Sequence, residues 1–244
     1  MPDTSVLAAV VATFLAAGIV KGVVGMGLPT VSLAVLVVVL DLPSAMALLV
    51  VPSFVTNLWQ ATSGGQFSTA LRRIWPFLAA ATVTVWLGAL ALSRIDTAAL
   101  STLLGVLLVV YAGTGLAGVR LRVPSRHECW VGPVLGSVNG ILTGMTGSFV
   151  FPGVPYLQGI GLPRDVLVQA MGMLFTLSTV ALAVALRGAG LLSAELGLLS
   201  AVGLVPAVAG MVVGQRIRRR LSETAFRRAL MVSLAVLGAY IVLR

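Results

Sequence analysis

Charge is scarce in this chain and it is bunched, and that feature leaves few folds open. Only 9% of the 244 residues are charged and 59% are hydrophobic, whereas a soluble domain carries about 25% charged residues. With 16 basic and 7 acidic side chains, no soluble surface of this size can be covered. An ordinary cytoplasmic enzyme, a secreted disulfide scaffold and a disordered chain are excluded. The expectation is an all-α integral membrane protein. A spanning helix needs about 20 apolar residues, so the length allows at most about ten crossings and no separate soluble domain.

Ten apolar segments are read at about 5–20, 28–40, 44–62, 74–93, 97–119, 130–144, 148–158, 165–186, 190–213 and 225–243. They make two membrane repeats, 1–119 and 130–244, joined by a basic loop at 120–129. Two pairs look short. Segments 5–20 and 28–40 reach only about 24 and 20 Å, against a core of roughly 30 Å. Their junction is Lys21-Gly22-Val23-Val24-Gly25-Met26-Gly27. Segments 130–144 and 148–158 meet at Asn139-Gly140-Ile141-Leu142-Thr143-Gly144-Met145-Thr146-Gly147. Short helices at glycine-rich joints predict broken or re-entrant helices, whose irregular backbone must be packed in protein or line a cavity.

The halves repeat. From Gly27/Gly147 to Pro43/Pro163 they align without gaps, each ending in a Leu-Pro turn, Leu42-Pro43 and Leu162-Pro163. Five segments per half is an odd number, so the second half enters from the opposite side, an inverted repeat. Paired interrupted segments of this kind point to a transporter's binding site.

The net charge of +9 does not point to nucleic acid, because the basic residues lie between apolar stretches, where they set orientation. Numbering the connections alternately puts Lys21, Arg72, Arg73, Arg120, Arg122, Arg126, Arg164, Arg216, Arg218, Arg219, Arg220, Arg227 and Arg228 on one side. Arg94, Arg187 and Arg244 fall on the other. The first side is expected in the cytoplasm and both termini outside. The acidic start, Met1-Pro2-Asp3-Thr4, is not expected to be a signal peptide. The count does not choose between ten crossings and six crossings with two hairpins.

Lys21, the one lysine, is the basic residue least explained by topology. A buried lysine is costly. It reads as the cation of an anion site, beside glycines whose exposed backbone N–H groups favour the same charge. The alternative is snorkelling to an interface. The expected substrate-binding set is Lys21, Gly22, Gly25, Asn57, Asn139, Gly140, Thr143 and Gln169. Their amides and hydroxyls would bond anion oxygens, or else glue helix to helix. Glu195 reads as a proton-coupling group or, more simply, as a carboxylate at a segment's outer end. Trp59 is expected as an interfacial anchor. The lone Cys129 and His127 supply neither a metal site nor a nucleophile–base pair, so no catalytic residue, metal or cofactor is expected.

At the joints and Leu-Pro turns the sequence resembles the TauE/SafE-type sulfite exporter family, also described as sulfonate uptake permeases. The residues that carry the resemblance are Lys21 to Gly27 through Leu42-Pro43, and Gly140 to Gly147 through Leu162-Pro163. The joints lack that family's usual Gly-Gly-Gly run. Its usual Thr-Ser after the Leu-Pro turn is replaced by Val50-Val51-Pro52 and Ala170-Met171-Gly172. The resemblance implies a bacterial inner-membrane permease for a small anion such as sulfite or an organosulfonate, working by alternating access. The partners it implies are the lipid bilayer, the anion and a coupling proton or sodium ion; a homodimer stays open. The competing readings are a permease for another solute, such as a carboxylate, and a membrane binding or assembly subunit that transports nothing. A wet polar cavity at the joints would favour transport, and dry, tightly packed joints the structural role.

Overall fold

A computed structural model describes residues 4–119, 121–218 and 222–244; Arg120, Arg219 and Arg220, three of the basic residues counted above, lie outside them. The described residues form helices and no strand. In chain order these are α1 Thr4–Val24, α2 Leu28–Val39, α3 Leu42–Leu48, α4 Val50–Thr62, α5 Phe67–Val83, α6 Val85–Leu92, α7 Thr97–Leu116, α8 Glu128–Thr146, α9 Gly153–Gly159, α10 Arg164–Gly188, α11 Ala194–Arg218 and α12 Glu223–Leu243. Among the described residues six helices, with α5 and α6 taken as one, are long and apolar enough to cross a membrane. The number becomes seven if α3 and α4, bent by 44° at their junction, make one span. The polytopic helical class is as expected.

The chain gathers into two compact units that interleave the two sequence halves. Unit one is Met1–Pro52, Asp96–Gly118 and Gly190–Arg244; unit two is Ser53–Ile95 and Val119–Ala189. In unit one, α1 lies along α11 and α7 along α12. In unit two, α8 lies along α5 and α6, and α10 packs on the same pair.

Glycine sets how closely these helices approach. A Cβ at Gly18 or Gly22 would run into the carbonyl oxygens of Ala207 or Met211 on α11. One at Gly136, Gly140 or Gly144 would run into those of Phe77, Ala81 or Val85. Backbone thus meets backbone, the mode of association open to helices in lipid, where burial of apolar side chains drives nothing. Large apolar residues such as Val205 on α11 and Val236 on α12 remain exposed, 73% and 63%.

The structure corrects the expected segment lengths. The first segment does not stop before Lys21. It runs as 21 residues to Val24, because Gly22 serves the helix contact instead of breaking the helix. Likewise α8 extends over 19 residues, with Asn139, Gly140 and Thr143 inside it. Of the two pairs expected to be short, only the second member of each is: α2, of 12 residues, and α9, of 7. The third segment, read as continuous over 44–62, is two helices. Pro52 has no N–H for the Leu48 carbonyl. Ser200 of α11 fills the gap: its Oγ donates to Leu48 O at 2.6 Å and accepts from Val51 N at 3.0 Å.

Candidate functional site

In unit one, Lys21 lies in the last turn of α1 and is 3% exposed. The side chain is enclosed by protein, so it does not snorkel along the surface to an interface. The chain then turns through Gly25 and Gly27, at φ +85° and +107°. Both are left-handed conformations that glycine adopts without steric cost. Gly25 N–H donates to Lys21 O at 2.8 Å, so that amide closes the helix and is not left for a ligand. Between the glycines, Met26 Sδ accepts from Tyr111 Oη of α7 at 3.7 Å. The joint opens into the N-terminus of α2, the positive end of its dipole. Ser32 Oγ turns back to Leu28 O at 2.7 Å. Thr30 Oγ1 is buried and has no partner among the described residues.

In unit two, Asn139, Thr143 and Thr146 recur at helical spacing on one face of α8, and all three are fully buried. Each holds the backbone of the second joint. Thr143 Oγ1 donates to Ser148 O at 3.0 Å, and Thr146 Oγ1 accepts from Ser148 N at 3.2 Å. At the far end, Asn139 Oδ1 accepts from Gly153 N, the first residue of α9, at 2.9 Å. Gly147 turns the chain at φ +73°. These bonds fix the joint from both ends and leave one group over. Asn139 Nδ2 is buried with no partner among the described residues. Gly153 is also close to Leu174 of α10. One turn beyond Leu174, Ser178 Oγ is buried and equally unpartnered.

The other expected residues of unit two are placed as follows. Asn57 is fully buried on α4, one turn after Ser53, whose Oγ has no partner among the described residues. Gln169 Nε2 donates to Ala61 O at 2.9 Å and its Oε1 accepts from Gln66 N at 2.6 Å. Gln60 answers with Nε2 to Val168 O at 2.9 Å. Both ends of the Gln169 amide thus hold the end of α4 and the turn after it. Gly140 sits against α5, not in a joint. Lys21, Gly22 and Gly25 come together in unit one, and Asn139, Gly140 and Thr143 share α8 in unit two.

Several details were not anticipated. Arg73 of α5 forms a bidentate pair with Glu128, at 3.0 and 2.7 Å, and also donates to Ile160 O at 2.6 Å. It ties together α5, the start of α8 and the end of α9. Tyr156 of α9 packs its ring on Phe77, centroids 4.8 Å apart. Glu195 is exposed in the first turn of α11, at that helix's end. Trp59 is 73% exposed. Cys129 is exposed, and no group of His, Cys, Asp and Glu among the described residues could hold a metal ion.

Among the described residues the buried polar side chains are hydroxyls and carboxamides, with one lysine and no carboxylate. That set suits a ligand rich in acceptors. Over residues 10–241, nearly its whole length, the chain matches the family described as Sulfite exporter TauE/SafE. No curated protein and no solved structure matches it.

Proposed function

The chain belongs to the TauE/SafE sulfite exporter family, and on that premise we propose that it is a secondary transporter for a small sulfur oxyanion, sulfite or an organosulfonate. In this reading Asn139 supplies hydrogen bonds within unit two, with Asn57 as a further polar contact there, and Lys21 is the buried cation of unit one. Thr143 and Gln169 hold the backbone around these groups. Gly22 and Gly140 allow the helix contacts that support them, and Gly25 shapes the first joint. Alternating access would carry the anion across the bacterial inner membrane.

One observation carries this reading, the direction of the Asn139 amide. Oxygen and nitrogen of a carboxamide are told apart by their partners. Gly153 N–H can face only an acceptor, so it fixes Oδ1 toward α9 and Nδ2 away from it. The two remaining N–H groups are buried donors awaiting an acceptor. Leaving them unmade costs about 1–3 kcal/mol, and an oxyanion removes that penalty. A cation or a protonated acid offers such donors far less.

Asn139→Asp tests it. The variant keeps an oxygen for Gly153 and nearly the same shape, and exchanges the donor for a second oxygen that can carry negative charge. Sulfite and sulfonate flux into proteoliposomes is expected to fall by about ten- to a hundredfold, the worth of a hydrogen bond to a charged ligand. The protein should stay monodisperse. Undiminished flux would remove Asn139 from the site. A wild-type protein that moves carboxylates but no sulfur oxyanion, or that moves nothing, would overturn the proposed activity.

A further inference from the structure

At one end of unit one, the C-terminal ends of α2 and α12 and the N-terminal end of α7 surround an open cleft of about 480 Å³. Its volume lies within the range of small-ligand pockets. Two opposite charges line it, Asp41 and Arg244, with the aliphatic side chains of Val37, Val39 and Ile241 and the ring of Tyr240 between and beside them. The charges form no direct ion pair: no N–O approach within 4 Å joins Arg244 to Asp41. Each is tethered where it stands. Arg244 Nη1 donates to Val38 O at 2.7 Å. Asp41 accepts from the amide and the hydroxyl of Ser44, both at 2.8 Å, as the N-cap of α3. A guanidinium has five N–H groups and a carboxylate about four acceptor positions, so both keep hydrogen-bonding capacity beyond these tethers.

We propose that this cleft binds the headgroup of a zwitterionic phospholipid with a primary ammonium, phosphatidylethanolamine. The phosphate lies on Arg244 and the ammonium on Asp41. Opposite charges held apart in one cleft complement a ligand that carries both charges a few bonds apart. The apolar wall decides for a lipid over a soluble zwitterion. Val39 and Tyr240 are half-exposed or more, and Tyr240 continues the exposed apolar surface that α12 presents at Val236 and Leu243, along which acyl chains can lie. Asp41 disfavours a headgroup with negative charge alone. A choline headgroup, having no N–H, cannot bond to the carboxylate.

The full-length protein, reconstituted in nanodiscs of mixed phosphatidylethanolamine, phosphatidylcholine and phosphatidylglycerol, provides the test. Native mass spectrometry after release should find phosphatidylethanolamine retained over both other lipids. Arg244→Ala should lower that retention by about tenfold, the loss of one charge-assisted contact. Asp41→Asn keeps an oxygen for the Ser44 amide and removes the charge and one acceptor, and it should abolish the preference over phosphatidylcholine and phosphatidylglycerol. If Arg244→Ala fails to fold, Asp41→Asn decides alone. Equal retention of the three lipids by the wild type, a preference unchanged in Asp41→Asn, or displacement of the lipid by soluble phosphoethanolamine would each overturn the proposal.

Discussion

Ser200→Ala is the sharpest test of how the bend between α3 and α4 is held. The hydroxyl serves two backbone groups at once, the Leu48 carbonyl and the Val51 amide, and Ser200 itself is fully buried. Removing it leaves both groups without that partner. At about 1 kcal/mol for each net hydrogen bond the expected loss is about 2 kcal/mol, and more if neither group finds water. Polar contacts inside membrane bundles average about 0.6 kcal/mol because the unfolded reference also finds partners. Here one partner is missing by covalent structure, which puts this site above that average. The assay is reversible unfolding in mixed micelles, run as a cycle with Pro52→Ala. Alanine at 52 restores an N–H that can reach Leu48 O, so Ser200→Ala should cost less in that background. An equal cost in both backgrounds, or a cost below about 0.5 kcal/mol, within the error of such cycles, would refute the account of the bend.

Lys21→Ala should reduce anion flux by about tenfold or more, the value of a charge-assisted contact, while the yield in the membrane fraction is unchanged; undiminished flux in proteoliposomes would dismiss its role. Cys129 is the sole cysteine and is exposed, so a membrane-impermeant maleimide reads its side directly. Labelling is expected in inside-out vesicles and not in intact spheroplasts, and the reverse would invert the proposed orientation.

Much of the helical layout was legible because lipid imposes a simple rule, apolar residues outward and few charges. The turns at Gly25, Gly27 and Gly147 were also legible, since glycines cluster where φ is positive. Helix ends were not. Glycine has two uses, a special dihedral angle and the absence of a Cβ, and the sequence does not distinguish them. Gly22 and Gly140 read as parts of joints although they lie inside helices, pressed on another backbone. The broken third segment shows the same limit. Pro52 marks a missing donor, but the hydroxyl that answers it lies 149 residues beyond Val51. Within the candidate site the buried residue types were readable, while the division of labour among them was not. Asn139 keeps a free donor where Gln169 has used both ends of its amide, and only tertiary structure decides which amide meets which backbone.

The close glycine contacts bear on how such a protein is made. The face of α1 that carries Gly18 and Gly22 is complementary to α11, which leaves the ribosome roughly 170 residues later, about 10–35 s at ordinary synthesis rates. During that interval α1 must wait in the bilayer or lean on a transient neighbour. A nascent chain truncated before Ala194 never receives that partner, and the glycine face of α1 stays without the backbone it is shaped to meet.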